Sequence, residues 1–193
     1  MSLPKNPCFI RVNPWLNFPV NSKLNEREAV SQLCPACGMC CNGVLFGDVE
    51  LQRNNDAKNL AALGMTLQKK KNGKISFNQP CSCFDGKLCG IYENRPTRCR
   101  TFECRLLERT QSGKVTIASA LKAIAEARCA ADEVQKLVRE LGQSDEQMPL
   151  NRRYSEVMSQ PIDLADEENS GHRGELMLAV HKLTKILERD FLT

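Results

Sequence analysis

Aromatic side chains make up only 5% of the 193 residues, and there are just two histidines. So few rings offer little surface for stacking nucleobases. His172 and His181 lack the paired spacing of metal-binding histidines, and both read as surface or helix residues. No run approaches the ~18 apolar residues that a membrane-spanning helix needs. Charge is muted as well: 27 Lys and Arg against 23 Asp and Glu give a formal net charge of +4. A nucleic-acid binder concentrates more positive charge than that on one face. A Ser-His-Asp set, a phosphate loop and an HExxH motif are all missing. These absences remove the commonest hydrolase, nucleotide-binding and zinc-protease readings.

The chain opens Met1-Ser-Leu-Pro-Lys-Asn-Pro-Cys8, with no apolar stretch behind a basic start. Pro4, Pro7, Pro14 and Pro19 exclude a helix there. Residues 1–21 therefore read as an extended proline-rich arm, which Phe9, Ile10, Val12, Trp15 and Phe18 can pin to a core. The expectation is a soluble, cytoplasmic protein. In that compartment thiols stay reduced, and close cysteine spacing points to metal more often than to disulfides.

Cysteine is what the chain has in excess, eleven in all. The first burst reads Cys34-Pro-Ala-Cys37-Gly-Met-Cys40-Cys41, and the second holds Cys81, Cys83, Cys89, Cys99 and Cys104. Cys8 reads as structural or exposed and Cys129 as a small core or flank residue. Thiolates at two- and three-residue gaps are soft ligands suited to zinc or iron–sulfur. Gly38 stands where a turn between paired ligands wants it. The vicinal pair Cys40-Cys41 is different, because successive side chains diverge. It suits two metals, or two edges of one cluster, better than a single zinc. Cys99 and Cys104 fall on one predicted helix, but a gap of five does not stack them. They serve different sites, or the helix is distorted. Arg95, Arg98, Arg100 and Arg105 crowd around them. Four thiolates on a divalent ion leave a charge of about −2, which guanidiniums would balance; a solvated basic helix face is the other reading.

Between the bursts, Asn21 or Ser22 caps a helix through Leu24 to Leu33, Val44-Leu45-Phe46 suggests a brief strand, and Asp56 opens a helix that stops at Gly64. Thr66 to Phe77 pivots on Asn72-Gly73, a two-residue hairpin signal, beside a solvated edge of Lys69, Lys70 and Lys71. Tyr92 and Arg95-Pro96 read as residues that fix a turn, with lining a site as the other reading. A helix is predicted from Thr97 to about Arg109. The longest runs from about Thr116 to Leu141, with Ile117, Leu121, Ile124, Ala131, Val134 and Val138 recurring at threes and fours. A short helical piece follows near Tyr154, and a last helix from about Glu175 to Phe191. The fold class is mostly α: a small, loop-rich, metal-organised cysteine module with a short β-hairpin, then a helical C-terminal half. The divisions are the arm at 1–21, the cysteine module at 22–110 and a helical extension at 111–193, packed as one compact domain.

Cys34-x2-Cys37-x2-Cys40-Cys41, followed by Cys89-Gly-Ile-Tyr92-Glu-Asn-Arg95-Pro96-x2-Cys99-Arg-x-Phe102-x-Cys104, closely resembles the YkgJ-like cysteine-cluster proteins. These are described as candidate zinc- or iron-chelating domains with a CxxCxxCC signature and eight characteristic cysteines. The resemblance covers roughly residues 34–107. It implies Cys34, Cys37, Cys40, Cys41, Cys81, Cys89, Cys99 and Cys104 as metal ligands, with Cys83 as the alternative to Cys81 or as an additional ligand. The implied cofactor is zinc or iron, mononuclear or as an iron–sulfur cluster. A ferredoxin-type run would place its fourth cysteine three residues after the third, whereas Cys41 follows at once. A related signature in bacterial flagellin lysine-N-methylases implies that some relatives are enzymes, but no glycine-rich nucleotide-binding turn follows a strand here. Three functions stand side by side: an all-thiolate metal-binding protein, an iron–sulfur enzyme of redox or group transfer, and a zinc-ribbon-like module for nucleic acid or protein. Metal ions are the expected partners, with no membrane and with nucleic acid disfavoured.

Overall fold

In the computed structural model, residues 26–52, 54–161 and 167–192 are described. The proline-rich arm and the expected cap at Asn21 or Ser22 lie outside them. Seven helices and three short strands appear among the described residues. None of those helices is long and apolar enough to cross a membrane.

The larger core is helical. Helix α5 (Ile117–Glu140) starts where Thr116 accepts the Ser119 amide at 3.2 Å, and Gly142, at φ +90°, turns the chain away at its end. The first part of its buried stripe is mostly small, Ala120, Ala127, Ala130 and Ala131 with Ile124 among them, and Val134, Leu137 and Val138 continue it. Small side chains let helix α7 (Glu167–Asp190) lie close against it, burying Leu176, Leu183, Ile186 and Leu187. Helix α7 begins well before the predicted Glu175, because Gly171 and Gly174 each lower helix propensity by roughly 1 kcal/mol and hide the start. Tertiary bonds offset that loss: buried Arg173 donates to Asn169 Oδ1 at 3.0 Å and to Gln160 O at 2.9 Å. Helices α1 (Glu26–Cys37) and α4 (Arg105–Gln111) pack on the same core, as does α6 (Leu150–Ser159).

The smaller core lies under a three-stranded antiparallel sheet of order β1-β3-β2, with β1 at Asp48–Glu50, β2 at Gln68–Lys69 and β3 at Ile75–Asn78. Val49 pairs with Phe77, and both are buried with Leu60 of α2 (Asn54–Ala62) and Met65. The predicted strand at Val44–Phe46 is instead a turn, because the Val44 amide bonds Asn42 Oδ1 at 3.1 Å and the Leu45 amide bonds Met39 O at 3.1 Å. The strand falls just beyond it. The hairpin forms, but its loop is longer than two residues. Asn72 keeps a negative φ, which excludes the expected primed turn, and Gly73 at φ +80° completes a Lys70–Gly73 turn with an N–H···O distance of 2.9 Å. Lys70 is not simply solvated: it pairs with Asp48 at 2.7 Å and Glu50 at 3.1 Å, and Lys74 pairs with Glu50 at 2.8 Å.

The predicted Thr97–Arg109 helix is broken. A one-turn 3₁₀ helix at Tyr92–Asn94 leads to α3 (Thr97–Thr101), and residues 102–104 are extended before α4 starts. The Thr97 amide, at the head of α3, is bonded by the buried carboxylate of Asp56 at 2.9 Å. The break leaves Cys99 on α3 and Cys104 at the entrance to α4.

Candidate metal centre

Cys34 and Cys37 occupy the last turn of α1 rather than a turn beyond it, and a spacing of three places them on one face of the helix. Gly38 then reverses the chain at φ +67°. Its amide bonds Cys34 O at 3.0 Å, and the amides of Cys41 and Asn42 turn back onto Gly38 O at 2.9 and 3.1 Å. A Cβ at Gly38 would lie 2.8 Å from the ring of Phe84, so the glycine also admits the second cysteine segment. Met39 is fully buried in the helical core and anchors the loop that presents Cys40 and Cys41.

The second segment is tied to the first by backbone: the Cys81 amide donates to Cys41 O at 2.8 Å. Phe84 N bonds Cys81 O at 3.0 Å, Gly90 N bonds Cys83 O at 2.7 Å, and Phe84 pairs with Cys89 in an isolated antiparallel bridge. Asp85 closes the tip by accepting the amides of Lys87 and Leu88 at 2.8 and 2.6 Å. Arg95 then folds back over the turn: Nε donates to Tyr92 O at 3.0 Å and the guanidinium carbon stands 3.6 Å from the ring centroid of Tyr92. These contacts fit the turn-fixing reading, and Tyr92, Arg95 and Pro96 also line the cavity that holds the cysteines.

Nine of the described cysteines are free thiols, whereas Cys129 on α5 is disulfide-bonded and stands apart. Eight of the nine line a single cavity of about 1160 Å³ between the two cores: Cys34, Cys37, Cys40, Cys41, Cys81, Cys89, Cys99 and Cys104. Cys83 is not among the lining residues, and no histidine is. The donor set is thus dominated by sulfur, which fits a soft or borderline ion such as zinc or iron. No three His, Cys, Asp or Glu side chains among the described residues are already gathered to hold an ion.

Burial is the main force on these thiols. It pushes Cys37 and Cys99 up to about 12 and Cys41 and Cys81 up to about 11, and raises Cys40 and Cys104 as well, with neighbouring thiols adding to the effect in all but the last. Cys34 moves the same way, although it sits exposed at the rim, where water moderates the effect. Arg95 opposes the rise at Cys34, Cys41 and Cys99, so it acts as countercharge. Of the other arginines, Arg98 and Arg100 line the cavity but are exposed, and Arg105 donates to Glu188 O at 3.0 Å.

These shifts fix a sign. A thiol whose folded value lies above its ordinary 9.0 keeps its proton longer in the folded than in the unfolded chain. Its stabilising contribution is complete below about pH 9 and is lost as pH rises toward 11 and 12.

Sequence reading missed Gln79. It is 1% exposed, lines the cavity, and its Oε1 has no hydrogen-bond partner among the described residues. Nothing in Asn78-Gln79-Pro80 signals this, because glutamine in a turn is ordinarily solvated. Asp56 was read as a helix start; its bond to Thr97 joins residues 41 positions apart and leaves no local pattern.

Compared with known families, residues 33–134 match the family named CxxCxxCC, described as a candidate zinc- or iron-chelating domain. The match spans a little over half of the chain and continues past Cys104 through α4 into α5. No curated protein and no solved structure matches the chain.

Proposed function

Since the chain belongs to the CxxCxxCC family of candidate zinc- or iron-chelating domains, we propose that it is a metal-binding protein whose ligands are Cys34, Cys37, Cys40, Cys41, Cys81, Cys89, Cys99 and Cys104, arranged at two centres. The observation that carries this reading is the cavity lined by these eight thiols and not by Cys83. Its walls come from two segments far apart in sequence, so a bound metal would tether α1 and its loop to residues 81–104. Such an ion supplies cross-linking and charge neutralisation. The chain's own part is to present thiols, exclude water by burial, and place Arg95 against the accumulated negative charge. Nine free thiols suit a reducing, cytoplasmic setting, and the disulfide at Cys129 counts against it.

A second reading, an iron–sulfur enzyme, draws on the size of the cavity, which at about 1160 Å³ could also admit a small substrate. For the nucleic-acid reading, Lys70 is committed to Asp48 and Glu50, which leaves Lys69 and Lys71 as the exposed cations of that three-lysine run. The deciding experiment is anaerobic purification, with metal analysis and an optical spectrum on one sample. Stoichiometric zinc in a colourless protein supports a structural chelator. Iron with sulfide and visible absorbance supports the cluster, and absence of both metals under those conditions overturns chelation.

A further inference from the structure

Building on the all-thiolate reading, we infer that the eight sulfurs divide into two four-sulfur centres: Cys34, Cys37, Cys40 and Cys104 in one, and Cys41, Cys81, Cys89 and Cys99 in the other. The peptide bond between Cys40 and Cys41 crosses from one centre to the other.

The first centre belongs to the helical core. Cys34 and Cys37 share the last turn of α1, and Cys104 stands at the head of α4, which packs against α1. Cys37 and Cys104 both rest on the helical core. The second belongs to the sheet core, against which Cys81, Cys83 and Cys99 pack, and of these Cys81 and Cys99 line the cavity. Cys41 is held to Cys81 by a 2.8 Å backbone bond, and Cys89 is brought beside that segment by its bridge to Phe84. The break in the helix after Thr101 is what separates Cys99 from Cys104. Divergence of neighbouring side chains does the same for Cys40 and Cys41.

The test titrates cobalt(II) anaerobically into the full-length chain, reduced and freed of metal, and follows thiolate-to-cobalt absorption and bound metal after desalting. Unaltered protein is expected to take up about two Co(II), one for each four-thiolate set. Cys37→Ser, Cys104→Ser, Cys89→Ser and Cys99→Ser should each halve the absorption. Combining Cys37→Ser with Cys104→Ser should leave that half intact, whereas combining Cys37→Ser with Cys99→Ser should abolish it. Complete loss from any single replacement marks one shared centre and overturns the partition, as does complete loss in the Cys37/Cys104 double variant. Failure of the unaltered chain to bind cobalt overturns the chelation reading itself. Far-UV circular dichroism checks folding, and Cys34→Ser, at the exposed rim, replaces Cys37→Ser if that variant does not fold.

Discussion

Removing the metal is expected to melt the cysteine module while the long helices survive. Among the described residues the sheet core buries Val49, Leu60, Met65 and Phe77, a thin cluster for ordering the loops around it. The helical core is several times larger and is centred on α5 and α7. A structural zinc contributes about 10–16 kcal/mol of apparent binding energy near neutral pH, and all of it becomes folding energy when the site does not exist in the unfolded chain. Hydrogen exchange on chelator-treated, reduced protein should therefore show the amides of Cys81, Phe84 and Gly90 losing protection by several orders of magnitude. Those of Val134 and Val138 should change little. Uniform protection before and after metal removal would mean that the metal holds nothing together.

Replacing Gly43 by valine is expected to cost about 2–6 kcal/mol. The residue sits at φ +80°, where a β-branched side chain is strained by about 1–3 kcal/mol. A Cβ there would also lie 3.2 Å from Pro149 Cα and 3.2 Å from Pro80 Cδ, and forcing atoms into a packed site adds roughly 1–3 kcal/mol. The Pro149 contact is with backbone, so no rotamer change relieves it. Gly43 O also accepts the Leu150 amide at 3.0 Å, so displacement here disturbs the start of α6. Gly73→Ala is the control: it has the same φ of +80° but open space around it. Denaturant unfolding should place the alanine variant within about 1–2 kcal/mol of the parent. Equal losses for the two variants would show that the three-way contact at Gly43 carries no weight.

The helices were legible where the signal is local and repetitive. Thr116, the three-and-four stripe and Gly142 delimit α5 to within a residue or two. The cysteine module was legible as a list of ligands, because reactive side chains announce themselves by type and spacing. Its geometry was not. The break after Thr101 follows no proline or glycine; what fastens the head of α3 is Asp56, from a distant helix. The loop of the hairpin was misjudged because Asn72-Gly73 fits two turn types, and the sign of φ at Asn72 decides between them. Gly38 was read as a turn residue on sequence grounds alone; that it also makes room for Phe84 depends on a segment more than forty residues on.

The order in which the cavity thiols follow one another along the chain has a topological consequence. In the partition proposed above, the set of Cys41, Cys81, Cys89 and Cys99 would be nested inside the set that begins at Cys34 and ends at Cys104. Two nested closures do not cross, so either centre can open without unthreading the other. Closing the inner one carries most of the chain-entropy cost, because it draws together the long span from Cys41 to Cys99. Once it has formed, Cys40 and Cys104 are already held near each other, and the outer centre completes only short flanking loops. Loading from the inside outward is thus the inexpensive route. It also matches the order of synthesis, since Cys104 is the last of the eight to leave the ribosome.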